Sequence, residues 1–143
     1  MAKRNRWRTK EAVRIAEQAG IKALRTGAEA ILTEAIDETP IDTGTLRRSG
    51  TVTVGKLPDS ARIYEAAEAG NEMKDAFPEP VGKEKAVYIS FNTPYARRQH
   101  EELDYEHPRG GKAKYLETPF NANKKKVLKY ADKQIRKALK DAP

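Results

Sequence analysis

Cysteine is missing from this chain of 143 residues, which removes disulfides and thiolate metal sites and implies no oxidising compartment. Long apolar runs are missing as well. Nothing approaches the roughly 20 consecutive apolar residues of a membrane-spanning helix. The basic start, MAKRNRWRTK, leads into no apolar stretch of signal-peptide length. A soluble protein made inside the cell is the expectation. Histidine is scarce, with only His100 and His107, and the serines are Ser49, Ser60 and Ser90, none of them in a nucleophile-type turn. At this length a single domain over 1–143 with a modest core is expected.

What the chain does have is charge, unevenly placed. Residues 1–10 carry five bases and no acid, and residues 121–143 carry eight bases against Asp132 and Asp141, within an overall charge of +7. The stretch between them is mildly acidic. Basic ends on such a body point to an anionic partner, either nucleic acid or the acidic face of another protein. Lysines that only solvate an exposed helix face are the plainer reading, and composition leaves both open.

Apolar periodicity divides the chain. Val13, Ala16, Gly20, Leu24, Ala28, Ile31 and Ala35 recur at spacings of three and four, predicting a helix from Thr9 to about Glu38. Thr9 caps it, residues 1–8 form a basic tail, and Thr39-Pro40 ends it. Gly20 and Gly27 each cost about 1 kcal/mol against alanine inside a helix; a close approach by a second backbone and simple tolerance both account for them. TVTVGKL (51–57) alternates like a strand with one buried face, ARIYE (61–65) reads as its hairpin partner, and AVYISFN (86–92) is the clearest strand. Residues 66–85 hold two glycines and two prolines and predict an extended loop or an arm ordered on a neighbour. Thr118 as cap and Pro119 at the first helical position open a basic helix over 119–140, with Phe120, Val127, Leu128, Ala131, Ile135 and Leu139 as its apolar stripe. Two helices packed on a small antiparallel sheet make an α+β fold.

One tripeptide invites an enzymatic reading. Asp42-Thr43-Gly44 is the aspartic-protease signature, in which two such loops, framed by apolar strands, bring paired carboxylates together. Here it occurs once, after a helix end and before LRRSG. A helix-to-strand corner accounts for every residue: Pro40 halts the helix, Asp42 accepts backbone N–H bonds, Thr43 follows it, Gly44 takes positive φ, and Leu46 anchors the exit. His100 and His107 lie among carboxylates, but their spacing matches no familiar metal motif and Pro108 breaks the region, so no metal is expected. RGGK lacks the first glycine of a phosphate loop and carries Ala113 where Ser or Thr would hold magnesium. Neither a catalytic residue nor a cofactor is expected.

Two regions together resemble a known family. Thr39, Pro40, Asp42, Thr43, Gly44, Leu46 and Arg47 match one hallmark. Tyr95, Ala96, Gln99, His100, Glu101, His107, Pro108, Gly110, Gly111, Lys114, Tyr115, Leu116, Glu117 and Pro119 match a second. In order and spacing they resemble, over about residues 9–135, the minor capsid or neck proteins of long-tailed bacteriophages, also described as tail-completion or head-to-tail joining proteins. Glu102 stands where that pattern has a glycine, and the segment before AVYISFN is longer than its minimum.

The resemblance implies a non-enzymatic virion part, made in the host cytoplasm. It would form a homo-oligomeric ring, six copies around the tail axis, between the capsid portal and the tail, with a channel for DNA. Partners would then be further copies and neighbouring neck and tail proteins, with genomic DNA as a further candidate. Arg47, Arg48, Tyr95, Arg97, Arg98, His100, His107, Arg109 and Tyr115 are candidate contacts to another subunit or partner. Arg4, Arg6, Arg8, Lys124, Lys125 and Lys129 are candidate contacts to DNA or an acidic partner. A free, basic nucleic-acid-binding protein is the rival reading. Tyr130 alone interleaves the C-terminal lysines, which is thin for a single-strand stacking platform.

Overall fold

The computed structural model describes residues 2–41, 44–103 and 111–142, with side chains from Arg8 onward. Helix α1 (Ala2–Glu38) leads through the short α2 (Thr45–Arg48) to strand β1 (Thr51–Val54). Helix α3 (Ser60–Glu68), strand β2 (Val87–Ser90), helix α4 (Ala96–Glu101) and helix α5 (Glu117–Asp141) follow. The α+β expectation holds, with helix dominating a two-stranded sheet.

β1 and β2 pair antiparallel, with Thr51 opposite Ser90, Val52 opposite Ile89, and Val54 opposite Val87. The valine and isoleucine side chains fall on one face, where α1 offers Ala28, Leu32 and Ile36. Both faces of β1 are buried, however, including Thr51 and Thr53 at 0% and 1% exposure. A threonine tolerates that only if its hydroxyl finds a partner. Thr51 donates to the Met73 carbonyl at 2.7 Å and Thr53 to that of Lys56 at 3.0 Å.

The cover over that second face is the segment expected as an arm. Its first residues finish α3, and the rest is a loop fastened to its own chain. The Met73 N–H donates to the Arg48 carbonyl, Val81 to Val54, and Glu84 to Gly55. Arg25 on α1 holds the carbonyls of Phe77 and Pro78. ARIYE is helix, not strand. Asp59 caps α3 by accepting from the Arg62 N–H at 3.3 Å, and Ile63 and Ala67, one turn apart, bury the same face. Five residues with one apolar spacing fit either period, and the cap decides for helix.

α1 starts at Ala2, so Thr9 is interior and the expected tail over residues 2–8 is helical backbone. Glu11 pairs with Arg14, and Arg14 also reaches Gln18, giving the early turns local support. α5 starts two residues before Pro119, with Leu116 at its N-cap and no side-chain cap bond. The Thr118 and Phe120 N–H groups already bond back to Lys114 and Leu116, and Pro119 sits in the first turn, where its missing donor costs little.

α5 lies along α1 in the opposite direction: Val127 sits against Gly27 and Ile135 against Gly20. The two costly glycines are therefore places where a second helix approaches. Continued at about 1.5 Å per residue, the pairing runs out near Arg14, and the first turns of α1 pass beyond the end of α5. Val13, counted in the apolar stripe, is accordingly 50% exposed. With α1 as its main neighbour, α5 also leaves Phe120, Leu128 and Leu139 exposed, while Ala131 is buried.

The two glycines should respond differently to alanine. At Gly27 the new Cβ would meet Val127 Cγ1 at 2.5 Å and Cγ2 at 2.7 Å, whereas at Gly20 it meets Ile135 Cδ1 at 3.2 Å and Cγ1 at 3.6 Å. G20A should be neutral or stabilising by up to about 1 kcal/mol through helix propensity. G27A should lose about 1–3 kcal/mol through overpacking, with Val127→Ala recovering part of it. Urea unfolding of the three variants checks the contrast.

Candidate functional site

The first conspicuous motif is built on the end of α1. Thr39 is fully buried and donates its hydroxyl to the Ala35 carbonyl at 2.7 Å. Pro40 is buried beside it. Arg47 turns its guanidinium back onto the Thr39 and Asp37 carbonyls at 2.8 and 3.0 Å, satisfying acceptors that a helix end leaves open. Gly44 has φ of +87° and precedes α2, which buries Leu46. Asp42 and Thr43 lie outside the described residues.

Ser49, at the end of α2, ties this corner to the sheet. Its hydroxyl donates to the Leu46 carbonyl and accepts from the Asn92 N–H at 3.0 Å. The Asn92 side chain donates to the Ser49 carbonyl at 2.9 Å and accepts from the Ser60 hydroxyl at 3.0 Å. One buried amide thus joins α2, the end of β2 and the start of α3. Sequence reasoning missed Asn92; its signal is a polar residue directly after the apolar strand and before Thr93-Pro94.

The second motif packs onto the first. Gly111 has φ of +87°, and a Cβ there would meet the Pro40 backbone at 2.5 Å. The Lys112 N–H donates to the Glu38 carbonyl at 2.9 Å, and that of Lys114 to His100 at 2.8 Å. Tyr115 is 1% exposed, packs edge-on against Phe91 and His100 with ring centroids 5.0 Å from each, and donates its hydroxyl to the Ala96 carbonyl at 2.8 Å. Burial, with the Glu101 charge second, pushes its phenol above the usual tyrosine range, so it remains a neutral donor. Tyr115, expected as a partner contact, belongs to the core with Leu46 and Ala96.

His100 is likewise spent internally. Its Nε2 accepts from the Glu117 N–H at 3.1 Å, and its Nδ1 lies 2.8 Å from a Glu101 oxygen. The first bond requires an unprotonated Nε2, so Nδ1 carries the proton toward Glu101. His100, Glu101 and Glu117 bring three ligand-type groups within 4.8 Å of one another. The Lys114 ammonium already bonds Glu101 and reaches Glu117 at 3.3 Å, holding the place a cation would take. Lys114 adopts φ of 58°, a conformation costing roughly 1–2 kcal/mol for a residue with a side chain.

The Lys114 hydrogen bond, then that of His100, holds the Glu101 carboxyl below its ordinary value. A lowered folded-state value contributes stability above the unfolded glutamate range, and that contribution disappears as pH falls through the lowered value. An NMR titration of Glu101 should therefore show a midpoint below the ordinary glutamate value, moving up toward it in Lys114→Met.

Most of the remaining described candidates are surface groups. Arg97 and Arg98 are exposed on α4, Tyr95 is half-buried, and Arg8, Lys124, Lys125 and Lys129 are exposed on the helix pair. Arg48 points inward and donates to the Ala67 carbonyl at 2.9 Å, tying α2 to α3. His107 and Arg109, and the side chains of Arg4 and Arg6, lie outside the described residues. An apolar groove of about 530 Å³ opens between Leu24, Ile31 and Val127 of the helix pair and the edge of β2. Successive residues Val87, Tyr88 and Ile89 all line it; neighbouring strand residues point to opposite faces, so the groove meets the strand edge-on. No described helix is long and apolar enough to cross a membrane.

A protein-family model described as "Bacteriophage HK97-gp10, putative tail-component" matches residues 8–97, more than half of the chain. The match includes the corner motif and ends before most of the second motif. No curated protein and no solved structure matches the chain.

Proposed function

Since this chain belongs to the HK97-gp10-like family of phage tail components, we propose that it is a non-enzymatic building block of the phage neck, joining head to tail. Copies form a ring, six around the tail axis, between the capsid portal and the tail tube, and DNA passes through its channel. The protein is made in the host cytoplasm and ends in the virion, with neighbouring neck and tail proteins as partners.

The observation that carries the proposal is the fate of the motif residues. Arg47, His100, Gly111, Lys114 and Tyr115 all engage groups of their own chain. These bonds tie the two motifs to each other and support a shape-defining role for them. What they build is a stiff junction at one end of the long helix, from which the helix pair extends.

Electron microscopy of purified particles tests this. The expected result is a ring of this protein at the neck, and head and tail left unjoined when the gene is deleted. The chain located elsewhere in the particle, or joined particles without it, overturns the reading.

Nucleic-acid binding outside a particle is the second reading, favoured by the exposed lysines of α5. It predicts duplex binding whose affinity falls steeply with salt, the slope counting phosphate contacts. Loss of all binding at low salt removes it.

A further inference from the structure

The fold sets two faces of opposite charge on opposite flanks of α1. On one flank lies α5. Lys126, Lys129, Lys133, Arg136, Lys137 and Lys140 are all exposed on it. At about 100° per residue they share one arc, facing away from Val127, Ala131 and Ile135. Only Arg136 has an ion pair among the described residues, with Asp132 at 3.0 Å. The other flank carries α3 and the loop behind it. Residues 59–84 hold seven carboxylates against Arg62, Lys74 and Lys83. Of these carboxylates, Glu65, Glu72, Asp75 and Glu79 are exposed and have no ion pair among the described residues.

Helix geometry puts the flanks apart. Gly27 receives α5 through Val127, and Arg25 holds the loop through Phe77 and Pro78. Residues two apart on a helix point to nearly opposite sides. A surface that complements another surface of the same chain, on the far side, can repeat from copy to copy, and such heterologous contacts close into rings when the rotation permits.

We propose that the outward basic face of α5 docks on the acidic α3–loop lobe of a second copy of this chain. The proposal rests on the ring reading above and supplies the surfaces that build it. Charge complementarity steers such contacts and fixes their register, and exposed ion pairs weaken with salt. The same chain carries both halves of the match, so a copy is favoured over DNA as the occupant.

Charge reversal tests it, with association followed by light scattering and mass photometry. The full-length chain is expected to assemble at low salt and to weaken as salt is raised. Lys129→Glu/Lys133→Glu/Lys137→Glu, and separately Glu65→Lys/Glu72→Lys/Asp75→Lys, should each weaken association at least a hundredfold. Mixing the two variants restores every contact, so assembly should return to within about tenfold. That rescue shows both variants to be folded. If both variants assemble as the unaltered chain does, the docking surfaces are wrong while the ring reading stands. If the unaltered chain stays monomeric at low salt, the inference fails; a missing ring in particles is the separate failure of the parent reading. Should the lysine reversal abolish binding to a 30-base-pair duplex and leave assembly unchanged, DNA is the occupant and the inference is overturned.

Discussion

Replacing Tyr115 with alanine is expected to cost about 3–5 kcal/mol of folding stability, the range for deleting a fully buried aromatic side chain. The ring is 1% exposed and lies between Phe91 and His100. Its removal leaves a cavity where the sheet end, α4 and the start of α5 converge. It also removes one donor from the Ala96 carbonyl, which accepts the phenol hydroxyl at 2.8 Å. Tyr115→Phe separates the two losses: it keeps the packing and should cost only about 0.5–1.5 kcal/mol for the lost hydrogen bond. Urea unfolding curves of both variants measure the difference. Equal, small losses would mean that the ring is an exposed contact for a partner, as the sequence led us to expect.

Gly111→Ala is expected to cost about 2–4 kcal/mol, from two sources that a control can separate. Positive φ strains any residue with a Cβ by roughly 1–2 kcal/mol. The added methyl would also collide with the Pro40 backbone at 2.5 Å, and backbone on both sides leaves little room to relax. Gly70 has φ of +99° and nothing within 4 Å of where its Cβ would stand, so Gly70→Ala reports the strain alone. The excess of the first variant over the second measures how firmly the two motifs are docked. Thermal unfolding monitored by circular dichroism gives both values, and an excess near zero would mean that the segment is not held against the corner.

How much of this was legible beforehand differs from element to element. α1 was readable because seven apolar positions recur at its period, and Pro40 marks its end whatever lies around it. β2 was readable from Val87, Ile89 and Phe91. The short α3 was not, since Ile63 and Ala67 make a single helical spacing and only the Asp59 cap distinguishes it from a strand. The burial of the threonine face of β1 was hidden, because alternating threonines look solvent-facing until a loop 22 residues away supplies acceptors such as the Met73 carbonyl. Within the candidate site, the residue types were visible and their destinations were not: arginine, histidine and tyrosine look equally suited to a partner surface and to an internal hydrogen bond.

The sequence by itself determined the long first helix, its stop at Thr39-Pro40, the charge at both ends and the membership of a tail-component family. The first three follow from residues near one another in the chain, where periodicity, caps and backbone constraints act locally, and the last from motifs whose order and spacing are read along it. Only the tertiary structure decided that the second motif seats on the first, that Gly27 receives α5, and that basic and acidic faces stand on opposite flanks of α1. Those outcomes depend on which surfaces cover which across large sequence separations, and burial and hydrogen-bond satisfaction select them only once the chain has folded back on itself.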